Sequence, residues 1–215
     1  MKNELIKRII SSVILIPTVF LIISLGSHFF NLFITICLLI ISYEWHAMAK
    51  KKNYVFFGYF FLIFSFYSIY KLRNIDGEGF DFVLLIILIC ICSDIGGFLF
   101  GKIFKGPKLT KVSPNKTYSG VIGAYFLSIG SLFLLDNQNI IFNLKILDEL
   151  NIYLFVILVS TVSQMGDIFI SYLKRLSNVK DTGKIIPGHG GLLDRVDGMI
   201  FAFPFSYIIF LLITI

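Results

Sequence analysis

Charge is scarce in this chain. Asp, Glu, Lys and Arg make up 15% of its 215 residues, against roughly 25% in an ordinary soluble domain. Hydrophobic residues account for 57%, and the mean hydropathy is +0.87. No soluble core hides that much apolar side chain, whereas a bilayer does. The length leaves no room for a membrane region plus a second large soluble domain. Metal-binding cysteine patterns are lacking as well. Cys37, Cys90 and Cys92 all lie inside apolar runs, and one Cys-x-Cys pair without a neighbouring His or second pair is a poor zinc site, so all three read as small core residues. Internal repeats and low-complexity linkers are also missing, which speaks against a transporter built from inverted repeats.

What is present is a basic excess of +6 and a series of apolar runs. The runs cover about 9–26, 29–43, 54–70, 82–101, 119–135, 152–173 and 198–215. Each approaches the length a helix needs to cross a ~30 Å hydrocarbon layer. Backbone groups in lipid must pair internally, so runs this long and apolar are helices. The fold class is therefore all-α: a polytopic membrane helical bundle of about seven transmembrane helices, or up to nine with broken or re-entrant helices. The N-terminus, with Lys2, Lys7 and Arg8 ahead of an apolar run and a cleavage-like Ser24-Leu25-Gly26, resembles a secretory signal. Because further spans follow, a retained first helix is expected.

Orientation follows from the cations. With the N-terminus in the cytoplasm, only Lys71, Arg73 and Lys145 fall outside, and the other 16 of the 19 Lys and Arg fall inside. This positive-inside distribution explains the basic charge better than nucleic-acid binding does, and it places the C-terminus outside. The 24 Phe and 10 Tyr suit lipid contact and interfacial belts. The chain divides at residue 94, with N-terminal transmembrane helices over 1–93 and a catalytic transmembrane region over 94–215. That second region carries two Gly- and Lys-rich cytoplasmic loops, 102–118 and 174–197.

The sixth span is unusual. Ser163, Asp167, Ser171 and Lys174 are spaced to share one helix face. A carboxylate in a span is costly and faces a bundle interior or a watery cavity, although an Asp close to the cytoplasmic end is also open to simple solvation. The loop that follows brings Lys174, Arg175, Lys180, Lys184 and Arg195 together with Asp181, Asp194, Asp197 and five glycines. Glycines let backbone N–H groups approach phosphates, and Lys and Arg neutralise them. Asp194 and Asp197, three apart, would share a helix face and with Asp167 supply oxygen ligands for a hard divalent cation. Asp194 alone is open to reading as a helix cap, and His189 alone as an ordinary loop histidine. The density of such groups favours a cytoplasm-facing site for a polyphosphate and a divalent cation, set against the bilayer, with a lipidic substrate.

The stretch from Ser171-Tyr-Leu-Lys174-Arg175 through Lys180-Asp181, Gly183, Ile186-Pro187, His189-Gly190-Gly191-Leu192 and Asp194-Arg195-Val196-Asp197 resembles the signature of phosphatidate cytidylyltransferases, the CDP-diacylglycerol synthase family. Gln164-Met165-Gly166-Asp167, Asp94-Ile95-Gly96-Gly97 and Ser113-Pro114-Asn115-Lys116-Thr117-Tyr118-Ser119-Gly120 extend the resemblance over most of 94–200. Two positions depart from the pattern: Asn115 stands where the family has Lys, and Ser119 where it has Glu. The chain is also shorter than typical members, so fewer N-terminal helices are expected.

The resemblance implies a magnesium-dependent enzyme of phospholipid biosynthesis, often dimeric, with a cavity open to cytoplasm and lipid in the cytoplasmic (inner) membrane. It implies CTP and phosphatidic acid as substrates, CDP-diacylglycerol and pyrophosphate as products, and Asp167 and Asp194 as metal ligands, with potassium beside the magnesium. The expected catalytic residues are Asp167, Asp194, Asp197, Lys174, Arg175, Lys180 and Arg195. The expected substrate-binding residues are Asp94, Ser113, Lys116, Thr117, Lys184, His189, Gly190 and Gly191. A CTP-dependent lipid-alcohol kinase, which releases CDP, is the rival enzyme reading. The Asp-Gly and Ala-Arg pattern of CDP-alcohol phosphotransferases is not found in the sequence.

Overall fold

A computed structural model describes residues 17–50, 52–110, 113, 115–136, 151–186 and 190–214. The elements are helices: a stretch at 17–25, then α1 (Ser27–Ala49), α2 (Val55–Arg73), α3 (Gly79–Phe104), α4 (Tyr118–Asp136), α5 (Ile152–Leu176), the short α6 (Leu193–Val196) and α7 (Met199–Thr214). Among the described residues there is no strand, only isolated bridges between Lys108 and Thr117 and between Ile186 and Gly190. His28–Ala49, α2, α3 and α5 are each long and apolar enough to cross a bilayer, and α7 and Tyr118–Phe133 are shorter apolar helices. A polytopic membrane helical bundle is thus what the apolar runs produce. The expected span at 9–26 is described only from residue 17, where it is helical.

The chain forms two compact units. One holds the residues up to Tyr70 together with Lys174–Val196; the other holds Lys71–Leu173 and Asp197 onward.

In the first unit α1 buries Ile41, Glu44, Trp45 and Met48, a recurring three- and four-residue step that defines one helix face. The Trp45 indole N–H donates to the Val55 carbonyl at 2.9 Å. Phe56, Phe57 and Phe60 point away from this core, each at least 76% exposed, as expected where the solvent is lipid.

The second unit buries Phe82, Leu85, Ile86 and Phe155 and adds polar groups to this core. Large apolar groups such as Phe98, Phe126 and Phe133 face outward, while Ser93, Ser128, Ser131, Ser160 and Ser163 are buried. The Ser160 hydroxyl donates to Ser93 at 3.0 Å and accepts from Ser128 at 3.2 Å and from the Gln164 amide at 3.3 Å. With no hydrophobic force between helices in lipid, small residues and such hydrogen bonds hold them together.

A close backbone contact joins α3 to α4. A Cβ on Gly96 would sit 2.2 Å from the Gly123 carbonyl oxygen, and one on Gly120 would sit 2.8 Å from the Gly97 oxygen. Only glycine permits this approach. Gly96→Ala is expected to cost ~1–3 kcal/mol through overpacking, read as a lower melting temperature in detergent. Gly130→Ala on α4, where a Cβ meets nothing within 4 Å, should leave the melting temperature unchanged or raise it, since alanine favours helix over glycine.

Candidate active site

Two lysine–carboxylate centres stand out, one in each unit.

In the second unit, α3 ends at Phe104, and Lys105 (φ 53°) and Gly106 (φ 98°) turn the backbone through the left-handed region. The chain returns through the Lys108–Thr117 bridge, with the Leu109 N–H donating to the Lys116 carbonyl at 2.8 Å. Thr117 then caps α4, its hydroxyl accepting from the Gly120 N–H at 3.1 Å, as an N-cap threonine does. In the usual capping pair a Glu at the third helical position reaches back to the cap; here that position is Gly120. Ser119 donates instead to the Lys105 carbonyl and lies 2.9 Å from the Thr117 hydroxyl. The family's Glu position is therefore occupied by a hydroxyl that ties the loop to the end of α3.

This loop, α3, the start of α4 and α5 enclose a cavity of about 260 Å³ lined by Asp94, Ser113, Asn115, Lys116, Thr117, Gln164 and Asp167. The Lys116 ammonium pairs with Asp167 Oδ2 at 2.6 Å and donates to the Gln164 carbonyl at 3.3 Å. Asp167 Oδ1 accepts from the Ser171 hydroxyl at 3.3 Å. Lys116 and Asp167 are each about a quarter exposed, so the pair is reachable from the cavity. Close packing also brings Asp197 to α5. A Cβ on Gly166 would lie 3.1 Å from the Asp197 carbonyl, and one on Gly198 would lie 2.4 Å from the Ser163 hydroxyl. The Asp197 carboxylate accepts from the Gly198 N–H at 2.9 Å.

In the first unit, α5 closes with Asn178 in the left-handed region (φ 57°) and the Val179 N–H donating back to the Lys174 carbonyl, a common C-terminal device. The Lys174 ammonium then donates to Asp194 Oδ1 at 2.9 Å. Asp194 Oδ2 accepts the N–H groups of Thr182 at 2.8 Å and Gly191 at 3.0 Å. Burial alone would raise the Asp194 carboxyl, but the Lys174 ammonium and the two N–H donors outweigh it and hold the group below the usual carboxylate range. Asp194 thus organises its own loop, and more than simple helix capping is involved. Gly190 adopts φ 88°, and a Cβ there would lie 3.0 Å from Asp194 Oδ2. Arg175, Lys180, Lys184 and Arg195 are exposed around this framework. His189 lies outside the described residues.

Glu44 was not anticipated from the sequence. Its carboxylate is 1% exposed and accepts from the N–H groups of Leu192 at 2.9 Å and Leu193 at 2.8 Å and from the Thr182 hydroxyl at 3.3 Å. The available signal was a carboxylate next to an apolar run, which warrants a functional hypothesis in a membrane protein.

Among the described residues no three His, Cys, Asp or Glu side chains gather into a cluster. A divalent cation would draw its remaining oxygens from substrate phosphates and water, the usual arrangement for magnesium. An ionised carboxylate offers about four acceptor positions. Asp167 uses two and Asp194 three, so both fit a ligand's role, Asp167 with more room.

The helices define a polytopic membrane protein with a lysine–carboxylate centre in each unit. The chain belongs to the cytidylyltransferase family, whose model matches residues 6–73 and 54–213. A phosphatidate cytidylyltransferase of Rickettsia felis is 36% identical over 225 residues, covering 98% of this chain and 94% of that protein. One of Rickettsia prowazekii is 36% identical, covering 97% and 92%. One of Brucella suis is 31% identical over 173 residues, covering 80% and 61%.

Proposed function

We propose that this protein transfers CMP from CTP to phosphatidic acid, giving CDP-diacylglycerol and pyrophosphate. The observation that carries this reading is the similarity to phosphatidate cytidylyltransferases along nearly the whole chain, with the polar motif residues lining the cavity around Lys116 and Asp167. A lipid phosphate oxygen attacks the α-phosphorus of CTP. The new P–O bond forms as the bond from the α-phosphorus to the bridging oxygen breaks, and pyrophosphate leaves with that electron pair. The nucleophile is already anionic, so no strong general base is needed. The barrier lies in bringing polyanions together, and positioning with fixed positive charge lowers it.

Lys116 is assigned to a substrate phosphate beside Asp94, Ser113 and Thr117. Lys174, Arg175, Lys180, Lys184 and Arg195 share the triphosphate, with Gly190 assigned to offer a backbone N–H group, Gly191 shaping the loop through its N–H to Asp194, and His189 adjacent in sequence. Magnesium is the cation we assign, with Asp167 and Asp194 the candidate ligands, Asp197 a further carboxylate and potassium its companion. When bound it neutralises triphosphate charge. The protein is multi-pass in the membrane. We place it in the cytoplasmic membrane as a homodimer with the motif loops facing the cytoplasm, in keeping with the inward bias of Lys and Arg.

The test uses purified protein in detergent with phosphatidic acid, magnesium and CTP labelled at the α-phosphate. Label in the lipid phase with pyrophosphate released, both lost on adding EDTA, is the expected result. Label reaching a lipid alcohol only from γ-labelled CTP would replace this reading with a kinase.

A further inference from the structure

We propose that Glu44, on the N-terminal helix α1 and outside both motif loops, is a positioning residue for the phosphate-binding loop of residues 182–194. This rests on the reading of that loop as the holder of the CTP triphosphate. Among the described residues, every hydrogen bond the Glu44 carboxylate makes goes to the loop: Leu192 N–H to Oε1, and Leu193 N–H and the Thr182 hydroxyl to Oε2. Two glycines leave room for it. A Cβ on Gly183 would lie 2.5 Å from Glu44 Oε1, and one on Gly191 would lie 2.6 Å from Oε2.

Thr182 is held twice, by its hydroxyl on Glu44 and by its N–H on Asp194. Asp194 takes the Gly191 N–H, and Glu44 takes the next two. The two carboxylates thus fix Thr182 on one side of Lys184 and Gly191, Leu192 and Leu193 on the other. Burying a carboxylate is a costly way to fill a core, and an apolar residue of similar volume often serves stability as well or better. The specific return here is the fixed backbone on either side of Lys184. Preorganised donors and charges are what phosphoryl transfer requires.

The experiment compares Glu44→Gln with wild type in the full-length detergent-solubilised protein. Gln keeps the volume but turns one acceptor oxygen into a donor facing an N–H. Expected is a roughly 10- to 100-fold fall in kcat/KM for CTP, the loss typical of breaking hydrogen bonds to a charged group. KM for phosphatidic acid should stay within about twofold. Amide exchange should rise in the peptide spanning 182–194 and stay unchanged in α3 and α4. Thr182→Val should move the same readouts in the same direction and Thr182→Ser should restore them, so the proposal stays testable if Glu44→Gln fails to insert. Unchanged exchange and unchanged CTP kinetics would overturn it. So would equal losses toward both substrates with general destabilisation, the mark of a merely structural carboxylate. The exchange readout needs no turnover, so a wild-type protein that transfers no CMP would count against the reaction and leave the loop-holding role to be judged by exchange alone.

Discussion

Replacing Asp194 with alanine is expected to lower turnover by at least ~10³-fold, the scale of losing preorganised electrostatic stabilisation, while the protein still inserts and its helices persist. One side chain satisfies three donors: the Lys174 ammonium and the N–H groups of Thr182 and Gly191. Hydrogen bonds to a charged group contribute ~1.5–3 kcal/mol each. Losing all three leaves Lys174 without its carboxylate and frees Thr182 and Gly191 from each other. The damage stays local because these partners lie in residues 174–191, away from the apolar helix faces that hold the bundle. Asp194→Asn should be nearly as inactive, since an amide offers only one acceptor oxygen and its NH₂ would oppose one of the donors. The check is labelled-CTP turnover alongside circular dichroism. Turnover within tenfold of wild type in Asp194→Ala would remove this residue from the site.

The apolar runs were legible because in lipid every backbone group must pair within its own segment, so length and hydropathy alone specify helices. The Asp167 centre was partly legible. A carboxylate seven residues before Lys174 in an apolar helix announces itself, but its partner Lys116 arrives from a loop about fifty residues upstream. No periodicity encodes that pairing; the turn at Lys105 and Gly106 and the capping of α4 by Thr117 create it. The Asp194 centre read correctly as a dense polar loop. Its inner logic, with one carboxylate gathering Thr182, Gly191 and Lys174, depends on loop backbone directions that composition does not reveal. Glu44 escaped notice because it sits just past the apolar stretch at 29–43, where an acidic residue passes for the start of a polar loop. Its α-helical register instead turns it inward beside Ile41 and Met48. The tight α3–α4 approach was written in Gly96, Gly97, Gly120 and Gly123, but the first three were read for the family motif and none of the four for helix packing.

Alanine at Asp167 is expected to lower turnover by at least ~10³-fold, and alanine at Lys116 to lower it by ~10²–10³-fold, with both proteins inserted. The pair lies at 2.6 Å with each partner about a quarter exposed. As a purely structural ion pair in such a setting it would contribute only ~0–1 kcal/mol, and neither substitution would change turnover by more than several-fold. The size of the loss therefore separates the two roles. If Lys116 receives a substrate phosphate, its removal should raise KM for that substrate, and Lys116→Arg should recover part of the loss because charge and reach survive while the point-charge geometry does not. Asp167 also lines the cavity, and its remaining lone pairs are the ones assigned to the cation. Asp167→Ala should therefore shift the magnesium concentration needed for its residual activity, whereas Lys116→Ala alone should leave that requirement near wild type. A double-mutant cycle on kcat/KM completes the argument. Additive losses would mean that Asp167 and Lys116 act on separate groups, while a double variant no worse than Asp167→Ala would mean that the lysine acts only through the carboxylate that orients it.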